Sequence, residues 1–162
     1  MQYRKLGNTD LEVSALSLGT VALGMRYGIA PKQESTEEAG MKPPSDTEAI
    51  QLVHRAIDEG INFIDTARAY GRSEEVLGSA LYDRRDKVVL TTKLGCHDAD
   101  GNLLHGNALR EHMNDSVATS LKLLRTDWVD LLMLHSATVD VLQNSEAIDI
   151  LQELQTQGKT RY

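Results

Sequence analysis

A carboxylate, a phenol, an ammonium and an imidazole occur in this chain where short apolar runs end. Ile61-Asn-Phe-Ile-Asp-Thr66 closes on Asp65, and Tyr70 follows shortly after it. Lys87-Val-Val-Leu-Thr-Thr-Lys93 closes on Lys93, and Trp128-Val-Asp-Leu-Leu-Met-Leu-His135 closes on His135. An earlier run, Ala15-Leu-Ser-Leu-Gly-Thr20, ends at Gly19 and Thr20. A phenol by itself is a poor proton donor near neutrality, since its ordinary pKa is about 10. An ammonium beside a phenol favours the phenolate, and a carboxylate beside the ammonium keeps it charged and oriented. An imidazole nearby can hydrogen-bond a carbonyl oxygen or share the proton. Together these groups make an acid–base site suited to a carbonyl carbon. Singly, a Lys or Asp at a strand end is ordinarily a solvated terminus, and a lone His is ordinarily a half-buried one with its bonds satisfied. Here three such types end separate runs, and the loop after one of them adds the phenol.

These groups meet only if the runs are adjacent parallel strands whose carboxyl ends share one rim, where α/β folds place their active sites. The hydrophobic pattern predicts strands over 15–20, 61–66, 87–93 and 128–135, and helices over 46–59, 73–81, 107–124 and 145–157. Ser45-Asp-Thr-Glu48 fits a capping box, and Gly60 and Gly158 are placed to stop their helices. Ile50, Val53 and Ile57 share one face of the first helix. Leu109, Met113, Val117, Leu121 and Leu124 share one face of the third, and Ile148, Leu151 and Leu154 one face of the last. Ser73 is placed to cap the second. The strands are near-continuous apolar runs, as expected when both faces are covered. The fold class is therefore α/β, with four β-α units in a parallel sheet. Residues 2–5 and 11–13 flank Gly7-Asn-Thr-Asp10 and predict a small N-terminal hairpin over 1–14. Residues 25–45 form a long first βα loop, whose acidic run 34–38 reads as solvated.

The chain has 162 residues, enough for one domain. Its net charge of −7 argues against nucleic acid and an anionic membrane surface as partners. No apolar run is long enough to span a bilayer, and the first residues lack the apolar core of a secretion signal. Cys96 is the one cysteine, so a disulfide framework is excluded and the cytoplasm is the expected compartment. Cys96 reads as a small spacer, since no paired histidine follows from its spacing. His54, His97, His105 and His112 make no HExxH or other tight pair, so no metal site is expected. Gly19-x4-Gly24 is followed by Met25 where a P-loop needs Lys, and no GxGxxG follows a strand.

Longer stretches carry a resemblance. Arg4-Lys-Leu-Gly-Asn-Thr-Asp-Leu-Glu-Val-Ser14, Leu18-Gly-Thr20, Gly60-Ile-Asn-Phe-Ile-Asp-Thr-Ala67, Ala69-Tyr-Gly71, Ser73-Glu-Glu-Val-Leu-Gly78, Thr91-Thr-Lys93, the 128–135 run and Gly158-Lys-Thr-Arg-Tyr162 follow one another in the order seen in the aldo-keto reductases. The chain is similar to that family over nearly its whole length. The resemblance implies half of a (β/α)8 barrel, its N-terminal four units, and hydride transfer from NADPH or NADH to a small aldehyde or ketone. It puts Asp65, Tyr70, Lys93 and His135 on the family's catalytic tetrad. Tyr70 is then the proton donor, Lys93 and Asp65 tune it, and His135 orients the carbonyl. Gly19, Thr20 and Asp65 fall on cofactor-side positions.

A full barrel needs eight β-α units and about 250 residues. In the family the remaining units supply most of the cofactor pocket. Two readings therefore stand side by side. One is a carbonyl reductase. The other is a non-catalytic half-barrel or truncated fragment that lacks the cofactor pocket and mainly self-associates. Four barrel strands leave two open edges and an inner face with nothing opposite, so a dimer or higher homo-oligomer is expected through those edges.

Overall fold

The order of the strands in space follows their order in the chain, which is what successive β-α units dictate. The computed structural model describes residues 1–28, 41–143 and 145–162. An antiparallel hairpin, β1 (Tyr3–Lys5) and β2 (Glu12–Ser14), comes first, with Tyr3 opposite Ser14. A parallel sheet follows in the order β3 (Ser17–Gly19), β4 (Phe63–Asp65), β5 (Val89–Leu94) and β6 (Leu131–Leu134). The connections carry α1 (Val21–Gly24), α2 (Asp46–Asp58), α3 (Ser73–Ala80) and α4 (Gly106–Leu124). After β6 come α5 (Val139–Gln143) and α6 (Ser145–Thr156). This is the expected half-barrel with its preceding hairpin.

Local chemistry sets the helix ends. Ser45 and Glu48 form the expected capping box at α2: the Ser45 N–H donates to Glu48 Oε2 at 2.9 Å, and the Glu48 N–H donates back to Ser45 Oγ at 3.4 Å. Gly60 follows α2 at φ +92 and Gly158 follows α6 at φ +72, the left-handed geometry that ends a helix cheaply at glycine. Ser73 departs from expectation. The N-cap of α3 is Arg72, and the Ser73 hydroxyl is turned into the fold instead.

The two faces of the sheet are covered differently, because side chains alternate along a strand. Leu18, Ile64, Leu90, Leu94, Leu132 and Leu134 face the helices and meet Val53, Leu77, Met113 and Leu124 in the main core. All five expected core residues of α4 are buried. In α6 the buried stripe is Ala147, Ile150 and Leu154, turned from the expected Ile148, Leu151 and Leu154. On the opposite face, Phe63, Val89 and Leu131 are covered by Leu6, Leu11 and Val13 of the hairpin. That face is therefore not left bare over its whole height: the hairpin seals its amino-terminal end.

The strands are shorter than the apolar runs. The 128–135 run begins with Trp128, whose ring takes the Arg85 guanidinium at 4.2 Å. It continues through Asp130, whose buried carboxylate binds Arg85 at 3.0 Å, Arg161 at 3.1 Å and the Leu90 N–H at 2.9 Å. These side chains are spent on the bottom of the sheet rather than on strand packing. The helix α5 was not expected, since five residues are too few to show a helical period. Of the expected loop 25–45, the run 34–38 lies outside the described residues. On either side of it, Tyr27 and Met41 exchange backbone hydrogen bonds of 3.4 and 3.1 Å.

Candidate active site

The ladder register places the chemical groups on one rim. Gly19 pairs with Asp65, and Asp65 with Thr91. Lys93 is two residues further along β5, opposite Met133 of β6. His135 comes just after β6 and stays in line because its N–H donates to Leu94 O at 2.7 Å. Ser136 then turns left-handed, at φ 55, and takes the chain off the sheet. Asp65, Lys93 and His135 thus stand at the carboxyl ends of three neighbouring strands.

Lys93 is the centre of the cluster. Its Nζ donates to Asp65 Oδ2 at 2.6 Å, to the Thr66 carbonyl at 3.0 Å and to the Tyr70 hydroxyl at 3.3 Å. The three ammonium protons therefore each have an acceptor. Nζ also lies 4.9 Å from the centre of the Tyr70 ring. The His135 ring meets the Tyr70 ring edge to face, with centroids 5.6 Å apart and planes at 85°. All four expected site residues are brought together, and all four are half-buried rather than sealed.

The loop 66–72 presents Tyr70. It is tied to β5 by the Thr66 N–H to Thr91 O and the Arg68 N–H to Lys93 O. It turns over Gly71 at φ +56, and the Arg72 N–H donates to Gly24 O at 3.1 Å. A Cβ on Gly24 would collide with the Tyr70 carbonyl and the Ser73 backbone, so only glycine lets α1 lie this close. Gly24, Ser73 and Glu74 shape the site and were not picked out as site residues from the sequence. The signal lay in the Ser73-Glu74 pair of the family-like stretch and in Gly24, which had been weighed only as a P-loop glycine.

The cofactor-side residues divide in two. Gly19 is exposed, and a Cβ there would meet nothing, so the rim beside Asp65 is open. Thr20 is fully buried. Its hydroxyl donates to Asp65 O at 3.0 Å and accepts from Ser73 Oγ at 2.9 Å. Thr20 supports the rim from beneath and offers no free hydroxyl to a ligand.

The remaining candidates are accounted for by packing. Cys96 lies in the core, and burial pushes its thiol pKa up, the wrong direction for a nucleophile. His54 bonds the Ala80 carbonyl at 2.8 Å and so joins α2 to α3.

The sequence model of the aldo/keto reductase family matches residues 15–162. The uncharacterized oxidoreductase YqkF of Bacillus subtilis is 34% identical over 165 residues, covering 100% of this chain and 47% of that protein. The NADH-specific methylglyoxal reductase of Escherichia coli is 34% identical over 175 residues, covering 99% of this chain and 50% of that protein. The solved aldo-keto reductase AKR11C1 of Bacillus halodurans, in its holo form, superposes with a TM-score of 0.77 at 31% identity, over 100% of this chain and 49% of that one. The chain spans about half the length of the curated relatives it matches.

Proposed function

Because the chain belongs to the aldo/keto reductase family, we propose that its Asp65–Tyr70–Lys93–His135 cluster performs the proton chemistry of a nicotinamide-dependent reduction of a small aldehyde or ketone. The observation that carries the reading is the Lys93 ammonium, held by Asp65 at 2.6 Å and set 3.3 Å from the Tyr70 oxygen. Tyr70 donates its hydroxyl proton to the substrate's carbonyl oxygen. The charge left on the phenol oxygen is stabilised by Lys93, which is already in place and needs no reorganisation. Asp65 and the Thr66 carbonyl keep that ammonium from turning away. His135, against the Tyr70 ring, hydrogen-bonds the carbonyl oxygen and orients it.

A reduced nicotinamide supplies the hydride that becomes the new C–H bond of the alcohol. The residues present fit the nicotinamide end of such a group. Gly19 leaves the rim beside Asp65 open, and Thr20 braces it from below. NADPH and NADH share that nicotinamide end, so the proposal covers both.

Titration of the purified chain with NADPH and with NADH tests the reading, following the dinucleotide's own fluorescence. Trp128 is a poor reporter, since it packs under Arg85 before β6 begins whereas His135 follows the other end of that strand. Saturable binding in the micromolar range, about 8 kcal/mol of binding free energy, is the expected result. No binding at millimolar cofactor overturns it for this chain.

A second reading rests on a different observation: among the described residues β3 pairs with β4 alone, and Leu16 beside it is exposed. We propose on this ground that the chain self-associates through the β3 edge.

A further inference from the structure

Burying a carboxylate is costly unless both oxygens are paired, and an apolar side chain of similar size does the work of packing more cheaply. Glu74, at the start of α3, is 0% exposed. Its Oε2 accepts from Arg68 Nη1 at 3.1 Å and its Oε1 accepts from Thr92 Oγ1 at 2.7 Å. Arg68 lies two residues before Tyr70, and Thr92 immediately precedes Lys93. The carboxylate therefore bridges the loop that carries the phenol and the strand that carries the ammonium. Ser73 makes the matching tie on the other side, its hydroxyl donating to Thr20 O at 2.6 Å. Both polar residues are buried, and both bond residues outside the helix they begin.

We infer that Glu74 is a positioning residue: through Arg68 and Thr92 it holds Tyr70 beside Lys93 and against His135. The inference rests on Tyr70 being the proton donor, but its test needs no turnover. Without the carboxylate, the Arg68 side chain, already 37% exposed, turns to solvent. The loop then keeps its backbone bonds, the Lys93 ammonium bonds and the Arg72 pairs with Asp46 and Glu75, but loses its side-chain tie to the Thr92 stretch of β5, and the Tyr70 ring shifts from His135.

The test is the nuclear Overhauser effect between the Tyr70 and His135 ring protons, assigned with Tyr70→Leu and His135→Gln. Glu74→Gln keeps the volume and removes the charge. It is expected to weaken that effect several-fold while the amide spectrum stays dispersed. Leu77→Ala on the same helix lowers stability while removing neither of the Glu74 hydrogen bonds, and is expected to leave the effect intact. A folded Glu74→Gln chain with the wild-type effect overturns the proposal, and so does an equal loss in Leu77→Ala. If Glu74→Gln fails to fold, Arg68→Gln removes the same ion pair from the more exposed side and decides by the same measurement. An active Tyr70→Phe chain would instead strike at the role of Tyr70 and leave this geometric test standing.

Discussion

A lysine at a strand end is unremarkable until its protons are counted. Lys93 has three acceptors, from Asp65, Thr66 and Tyr70, and Tyr70 is the one of them with a proton to give. Lys93→Met keeps the length of the side chain and removes its charge. Where the chain reduces an aldehyde, the rate is expected to fall by about 10²-fold or more, the range of general acid–base catalysis, with the fold retained by circular dichroism. An unchanged rate would mean that the phenol acts without the ammonium. Cys96 makes the opposite case. Its burial predicts that an aromatic disulfide reagent labels the folded chain far more slowly than the urea-unfolded one, and equal rates would refute that. Three of the four candidate site residues, Asp65, Lys93 and His135, were legible because each lies at the end of an apolar run, and run ends become one rim in a parallel sheet; Tyr70 lies in the loop after one such run and was picked out through the family-like stretch around it. Glu74, Ser73 and Thr20 were not legible as supports. Their meaning is burial, and burial of a polar residue is set by partners distant in the chain.

Elements hold these residues at the required register. The capping box of α2 was readable from four consecutive residues, since its bonds are local. Ser45→Ala is expected to lower stability by about 1 kcal/mol in urea unfolding. Glu48 also gives the cap a pH dependence. Hydrogen bonds from the Ser45 side chain, and then from its backbone N–H, lower the Glu48 pKa in the folded chain. A depressed carboxylate adds stability above its unfolded pKa and loses it as pH falls through the folded value. The stability gap between wild type and Ser45→Ala should therefore be full at neutral pH and shrink on acidification. A gap that widens in acid would contradict the assignment. Gly78 is a contact that no sequence pattern reveals. A Cβ there would collide with the Leu123 carbonyl of α4, so Gly78→Ala should cost about 1–3 kcal/mol of stability although alanine favours helix. Strand limits were legible only loosely, because Trp128 and Asp130 continue the apolar run while their side chains serve the Arg85 and Arg161 network.

The whole molecule is joined end to end. Arg161 Nη2 binds Asp10 Oδ1 at 2.9 Å and Tyr162 donates its hydroxyl to the same oxygen at 2.9 Å, while Arg161 Nη1 reaches Asp130. Backbone bonds from the Arg161 and Tyr162 N–H groups to Val129 and Asp130 carbonyls extend the sheet beyond β6. The hairpin thus locks onto both the sheet and the far end of the chain, which no local reading of the turn Gly7-Asn-Thr-Asp10 contains. The opposite edge, at β3, has no strand on its outer side among the described residues, and light scattering at micromolar concentration is expected to give a mass of at least a dimer. A monodisperse monomer would sink the edge-pairing proposal. At this scale the chain covers about half of each relative's length. The deciding measurement is cofactor-dependent reduction of a panel of small aldehydes by the wild-type chain and by Tyr70→Phe side by side. Proton donation by Tyr70 predicts measurable turnover in the first and a loss of about 10²-fold or more in the second, with unchanged cofactor binding. Equal rates in the two chains, or no turnover by the wild type with cofactor bound, would contradict it.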